Sequence, residues 1–191
     1  MSGYAFTWLA SPSLFGSWEV NIIIGSFPQK IIAAYDKLEE TMVGAKYEPI
    51  AMLAKQVANG TNYAMLAQQT IITKQPQKNI VVMKFNESDM DCVLYSIEPI
   101  LIGNNLYGGL KIDPKIGHEI DPEFIESFKS TTQGWLGVKL EPVILLATKV
   151  VKGIDLTWLC YDAGVTPKDK PDVLLVTTNS VTHSIDYAEI L

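Results

Sequence analysis

The sequence predicts an α+β protein made of two like units, each one long helix wrapped by an antiparallel β-sheet. Three observations predict it. The chain matches itself at one constant offset, each matching half carries apolar residues at helical spacing, and each such stripe precedes long β-branched segments broken by turn dipeptides.

The offset is 93 residues, the separation of Gly60 from Gly153. At that spacing Glu48, Pro49, Leu53, Ala54, Val57 and Leu66 fall on Glu141, Pro142, Leu146, Ala147, Val150 and Leu159. Further on, NIVVMKFN falls on DVLLVTTN. The units therefore divide as residues 1–103 and 104–191, with the junction in the glycine-rich stretch Gly103 to Gly109.

Ile31, Tyr35, Leu38 and Met42 follow the i, i+4, i+7, i+11 spacing of one helix side, and Phe124, Phe128, Thr131 and Trp135 stand at the offset positions. Pro28 and Pro122 mark the helix starts, with Asp121 suited to cap the second. Gly44 and Gly137 mark the expected ends, where a left-handed residue closes a helix.

After each helix come two long segments rich in Val, Ile, Leu and aromatic residues. Asn59-Gly60 interrupts the first copy with a favoured hairpin dipeptide, and Lys152-Gly153 does so in the second. Each unit then reads as helix, strand, turn, strand, loop, strand, and a last strand in VLYSIEPIL or IDYAEIL. The polar, proline-containing stretches Gln75 to Lys78 and Pro167 to Pro171 are the matching loops. VILLATKVV and MLAKQVA carry apolar residues on both strand faces, so the outer face of each sheet is expected to be covered, by the other copy or by self-association.

Composition narrows the function. With 48% hydrophobic residues the chain can bury a core, and with 21 acidic against 15 basic residues it is acidic. Every basic residue is a lysine, so nucleic acid, which is bound by basic faces rich in the arginine fork, is not an expected partner. No apolar run reaches the length of a membrane span, and the N-terminus lacks the charged and apolar regions of a secretory leader. The expected location is cytoplasmic as written, or extracellular where a leader has been removed.

Catalytic frameworks are missing: there is no GxSxG, HExxH, phosphate-binding loop or dinucleotide fingerprint. His118 and His183 have no partner at ligand spacing, and Cys92 and Cys160 form neither a disulfide framework nor a metal cluster. Cys160, mid-strand in LTWLCYD, reads as a buried inert thiol. The expectation is a binding protein with no enzymatic activity, no metal and no cofactor.

The segment Gln56-Val57-Ala58-Asn59-Gly60-Thr61-Asn62-Tyr63 resembles the first binding hairpin of cystatins, with its Gln-x-Val-x-Gly signature commonly continued as Thr-Asn-Tyr. Leu14-Phe15-Gly16-Ser17-Trp18 is similar to the glycine-bearing N-terminal segment of that family, and Leu106-Tyr107-Gly108-Gly109 is its counterpart. The likeness runs from Phe15 to Leu101 and reaches the second copy through the repeat; it is nearest to stefins and short bacterial cystatin-like proteins.

The resemblance implies reversible inhibition of papain-like cysteine proteases by a steric wedge. The implied contacts are Gly16, Gln56, Val57, Ala58, Asn59 and Gly60, with Lys149, Val150, Val151, Lys152 and Gly153 as a weaker second hairpin. Three departures stand beside it. Ala58 replaces the motif's Val, Lys149 replaces Gln in the second copy, and Asn86 to Met90 lacks the Pro-Trp of secreted cystatins. The alternative is a non-inhibitory protein-interaction or assembly module, its partner another protein or a second copy. A third reading is a small-ligand binder or an enzyme with its pocket between helix and sheet.

Overall fold

The computed structural model describes residues 17–88, 91–112, 120–134, 139–162 and 172–190. Two compact units divide between Asn105 and Leu106.

The first unit runs β1 (Glu19–Ile24), α1 (Gln29–Glu39), β2 (Ala45–Ala58), β3 (Gly60–Ile71), β4 (Gln77–Glu87) and β5 (Cys92–Ile102). Its strands form an antiparallel sheet in the order β1-β2-β3-β4-β5. The second runs β6 (Lys111–Ile112), α2 (Pro122–Thr132), β7 (Leu140–Val151), β8 (Gly153–Asp162), β9 (Asp172–Asn179) and β10 (Ile185–Glu189), in the order β10-β9-β8-β7-β6. Strands sit before both helices, where none was expected. The β-branched run in EVNIII carries the signal for β1.

The expected α+β class with a long helix in each unit is corrected by these elements. The chain is predominantly β, two five-stranded antiparallel sheets with one short helix each, and neither helix exceeds 11 residues. α1 stops at Glu39, well short of Gly44. Thr41 donates its N–H to Leu38 O at 3.0 Å and its hydroxyl to the same oxygen at 2.8 Å, and Met42 N–H bonds Glu39 O at 3.2 Å. These i to i+3 bonds tighten the chain and end the α-helical ladder. In α2 the hydroxyls of Ser130 and Thr132 bond back to Ser127 O and Phe128 O, an alternative to helix propagation that Ser and Thr favour. Gly44 does adopt positive φ, at +85°, but in the turn into β2. Gly137 and Trp135 lie outside the described residues.

At the start of α2, Asp121 accepts a hydrogen bond from Glu123 N–H at 3.0 Å and Pro122 occupies the first turn. Ile31, Ala34, Tyr35 and Leu38 of α1 bury against Met52, Tyr63, Met65, Val81, Met83 and Phe85 of the sheet. Phe128 of α2 buries against Leu145, Leu156, Trp158, Cys160 and Val176, and Phe128 meets Trp158 edge-on at 5.4 Å.

Strands β2 and β7 are bulged at matching points. Pairing with the neighbour slips between Pro49 and Ala51 and between Met52 and Ala54 in β2, and between Pro142 and Ile144 and between Leu145 and Ala147 in β7. Proline has no ladder donor and is tolerated in a strand at such bulges, which curve the strand. The faces turned away from the helices are buried too: Ala64, Leu66, Ile80 and Val82 in one unit, Thr157, Leu159 and Val173 in the other.

Candidate functional site

The hairpins β2–β3 and β7–β8 end in the tightest turns of their sheets. Ala58 pairs with Gly60 and only Asn59 lies between them; Val151 pairs with Gly153 and only Lys152 lies between. Gly60 and Gly153 adopt φ of +93° and +95°, which side-chain-bearing residues avoid. Space excludes a side chain as well. A Cβ on Gly60 would collide with the Glu87 carbonyl oxygen, and one on Gly153 would come within 2.7 Å of Val181 Cγ2.

Below the first tip, three side-chain amides span three strands. Gln56 faces Asn62 across β2–β3, and Asn62 faces Asn86 across β3–β4. Asn62 Nδ2 donates to Gln56 Oε1 at 2.7 Å, Asn86 Nδ2 donates to Asn62 Oδ1 at 2.7 Å, and Asn86 Nδ2 also reaches Asn59 O at 3.2 Å. Gln56 and Asn86 are buried, so the ladder satisfies polar groups that would otherwise be costly. The second unit rebuilds the rung with charge. Lys149 stands opposite Asp155, and Asn179 Nδ2 donates to Asp155 Oδ1 at 2.7 Å.

The structure therefore separates the predicted site residues. Gln56 turns into the sheet, and its amide braces the turn. Val57 points the other way and is 68% exposed, and its repeat equivalent Val150 is 65% exposed. Ala58 is half-buried, Asn59 and Gly60 are exposed, and Lys149, Val151 and Lys152 are exposed around a half-buried Gly153. Gly16 lies outside the described residues. Beside the first tip, Ser88 N–H bonds Asp91 O at 2.9 Å, and Glu87 pairs with Lys30 of α1 at 2.9 Å. Residues 89 and 90 of that loop are outside the described residues. Sequence reasoning missed Asn62 and Asn86 as turn-bracing residues; the coincidence of Asn86 with Asn179 at the repeat offset is the signal that points to them.

The other polar groups have structural work. Cys160 is fully buried and burial pushes its thiol pKa far up, so it is held as a neutral thiol. Burial, reinforced by the Glu87 carboxylate, also raises the half-buried Cys92. His183 Nδ1 lies 3.1 Å from Thr131 Oγ1, tying the β9–β10 turn to α2, and His118 lies outside the described residues. Among the described residues no cluster of His, Cys, Asp and Glu is placed to hold a metal ion, and no helix is long and apolar enough to cross a membrane.

No protein-family model matches the chain, and no curated protein is significantly similar to it. The expected cystatin-like α+β assignment and the cysteine protease inhibitor role drawn from it are accordingly not supported. The chain is mostly β-sheet with two short helices, and Gln56, the first residue of the quoted motif, is buried beneath the turn.

Proposed function

We propose that the protein is a non-enzymatic interaction module that docks another protein through the apolar tips of its two hairpins. The observation that carries this reading is the pair Val57 and Val150. Repeat-equivalent valines stand mostly exposed beside glycines locked at positive φ. An exposed valine gains nothing from its own fold, and single exposed apolar residues are ordinary. The same exposed position presented twice, on turns braced from below, is the geometry of a preorganised contact, because a rigid loop loses little entropy on docking. Val151, 42% exposed, adds apolar surface on the opposite face of the second tip.

The test compares wild type with a Val57→Ser/Val150→Ser variant. Light scattering on a size-exclusion column reports self-association, and affinity capture from a total lysate reports other partners. The reading expects at least one association present in wild type and lost in the variant, with the circular dichroism spectrum unchanged. Identical association states and identical captured proteins for both would overturn it.

A further inference from the structure

The first unit contains a cleft of about 330 Å³ between α1 and the β2–β3 sheet, within the lower range of small-ligand sites. Its apolar wall includes Phe27, Ile31, Tyr35, Tyr47 and Met65, and its charged edge is Asp36, Glu39, Lys46 and Glu48. The polar groups inside are already fixed. Tyr35 donates its hydroxyl to Tyr47 O at 2.7 Å, and Gln69 Nε2 donates to the Tyr47 hydroxyl at 2.9 Å. Both rings are thereby held in place against the cavity.

The edge is electrostatically unbalanced. Lys46 Nζ pairs with Glu48 Oε1 at 2.8 Å, Gln68 Nε2 donates to Glu48 Oε2 at 2.9 Å, and the field of Lys46 also reaches Glu39, so one cation stands against three carboxylates. Asp36 and Glu39, one turn apart on α1, have no ion-pair partner among the described residues. Like charges at that helical spacing repel and contribute nothing to the fold.

The second unit is an internal control. It keeps the rim pair as Lys139–Glu141 at 2.9 Å. At the offset positions, however, Asp36 becomes Lys129, Glu39 becomes Thr132, Tyr35 becomes Phe128 and Met65 becomes Trp158. Trp158 is fully buried against Phe128, in the place where the first unit has the smaller Met65. The acidity of this edge is thus particular to the first unit.

We infer that this cleft binds a small amphipathic ammonium, its apolar body against Tyr35, Tyr47 and Met65 and its cationic head between Asp36 and Glu39. The apolar wall supplies burial, and the two carboxylates without an ion-pair partner select the sign of charge. The site is independent of the hairpin tips.

The experiment titrates the full chain with 2-phenylethylammonium, 2-phenylethanol and 3-phenylpropanoate, followed by isothermal calorimetry and by NMR shifts of the methionine methyl groups. The ammonium is expected to bind saturably, about tenfold more tightly than the alcohol, the carboxylate binding weakest of all. An Asp36→Asn/Glu39→Gln variant changes only exposed groups; it should bring the ammonium down to the affinity of the alcohol and leave the alcohol unchanged. Met65→Trp should abolish binding of both. The inference is overturned if the ammonium shows no saturation by about 10 mM, a weak-affinity bound, or if it and the carboxylate bind equally.

Discussion

Gly60 and Gly153 occupy the same place in the two copies and obey the same backbone demand, yet they meet different obstacles. A methyl at Gly60 runs into the backbone carbonyl of Glu87, which the β4 ladder holds, whereas at Gly153 it meets only side-chain atoms, those of the exposed Val181 and of Ser180. Gly60→Ala should therefore cost about 2–3 kcal/mol and Gly153→Ala nearer 1 kcal/mol, read from urea midpoints; equal losses would contradict the geometry. The amide ladder makes a second prediction. Asn62→Ala removes one partner from each of Gln56 and Asn86 and should destabilise by about 1–3 kcal/mol. Gln56 stands out in the sequence, but its direction does not, because one residue's shift in register exchanges the buried and exposed faces of a strand.

The strands after each helix, the hairpins and the helix starts were legible because their signals are local, whereas β1 and β6 were missed. Asn59-Gly60 and Lys152-Gly153 do mark turns, and Asp121 does cap α2. Asp121→Ala should weaken the second unit by about 1 kcal/mol, measured by chemical denaturation; α1, which starts at Pro28 without a side-chain cap, offers no such handle. Helix ends were illegible. The apolar stripe continues past Leu38 to Met42, but the hydroxyls and i to i+3 bonds of the following turn stop the helix first. The tips carry a prediction of opposite kind: Val57→Ser and Val150→Ser should each leave stability within about 0.5 kcal/mol, since neither side chain is in a core. A larger loss would mean that these valines serve the fold.

Each unit has its own helix-facing core, and each contains one cysteine, half-buried Cys92 in the first and fully buried Cys160 in the second. Thiol modification can therefore report the two units separately in the intact chain. Trp158→Ala empties the centre of the second core, at a cost of about 3–5 kcal/mol, and should expose Cys160 to a thiol reagent while the rate at Cys92 stays unchanged. Parallel acceleration at both cysteines would show that the cores unfold together.

The duplication, its offset and the order of the elements after each helix could be read from residue types alone, because propensity, turn chemistry and periodicity act over a few neighbours and recur after 93 residues. Pro49 and Pro142 were legible as a match but not as the bulges they mark, which exist only against a paired strand. A ligand between helix and sheet was one reading of the sequence, but the place and lining of the cleft beside Tyr35 were not legible, for the same reason. It is lined by α1 on one side and by Met65 of β3 on the other, and that opposition arises when helix and strand, distant in sequence, close on one another.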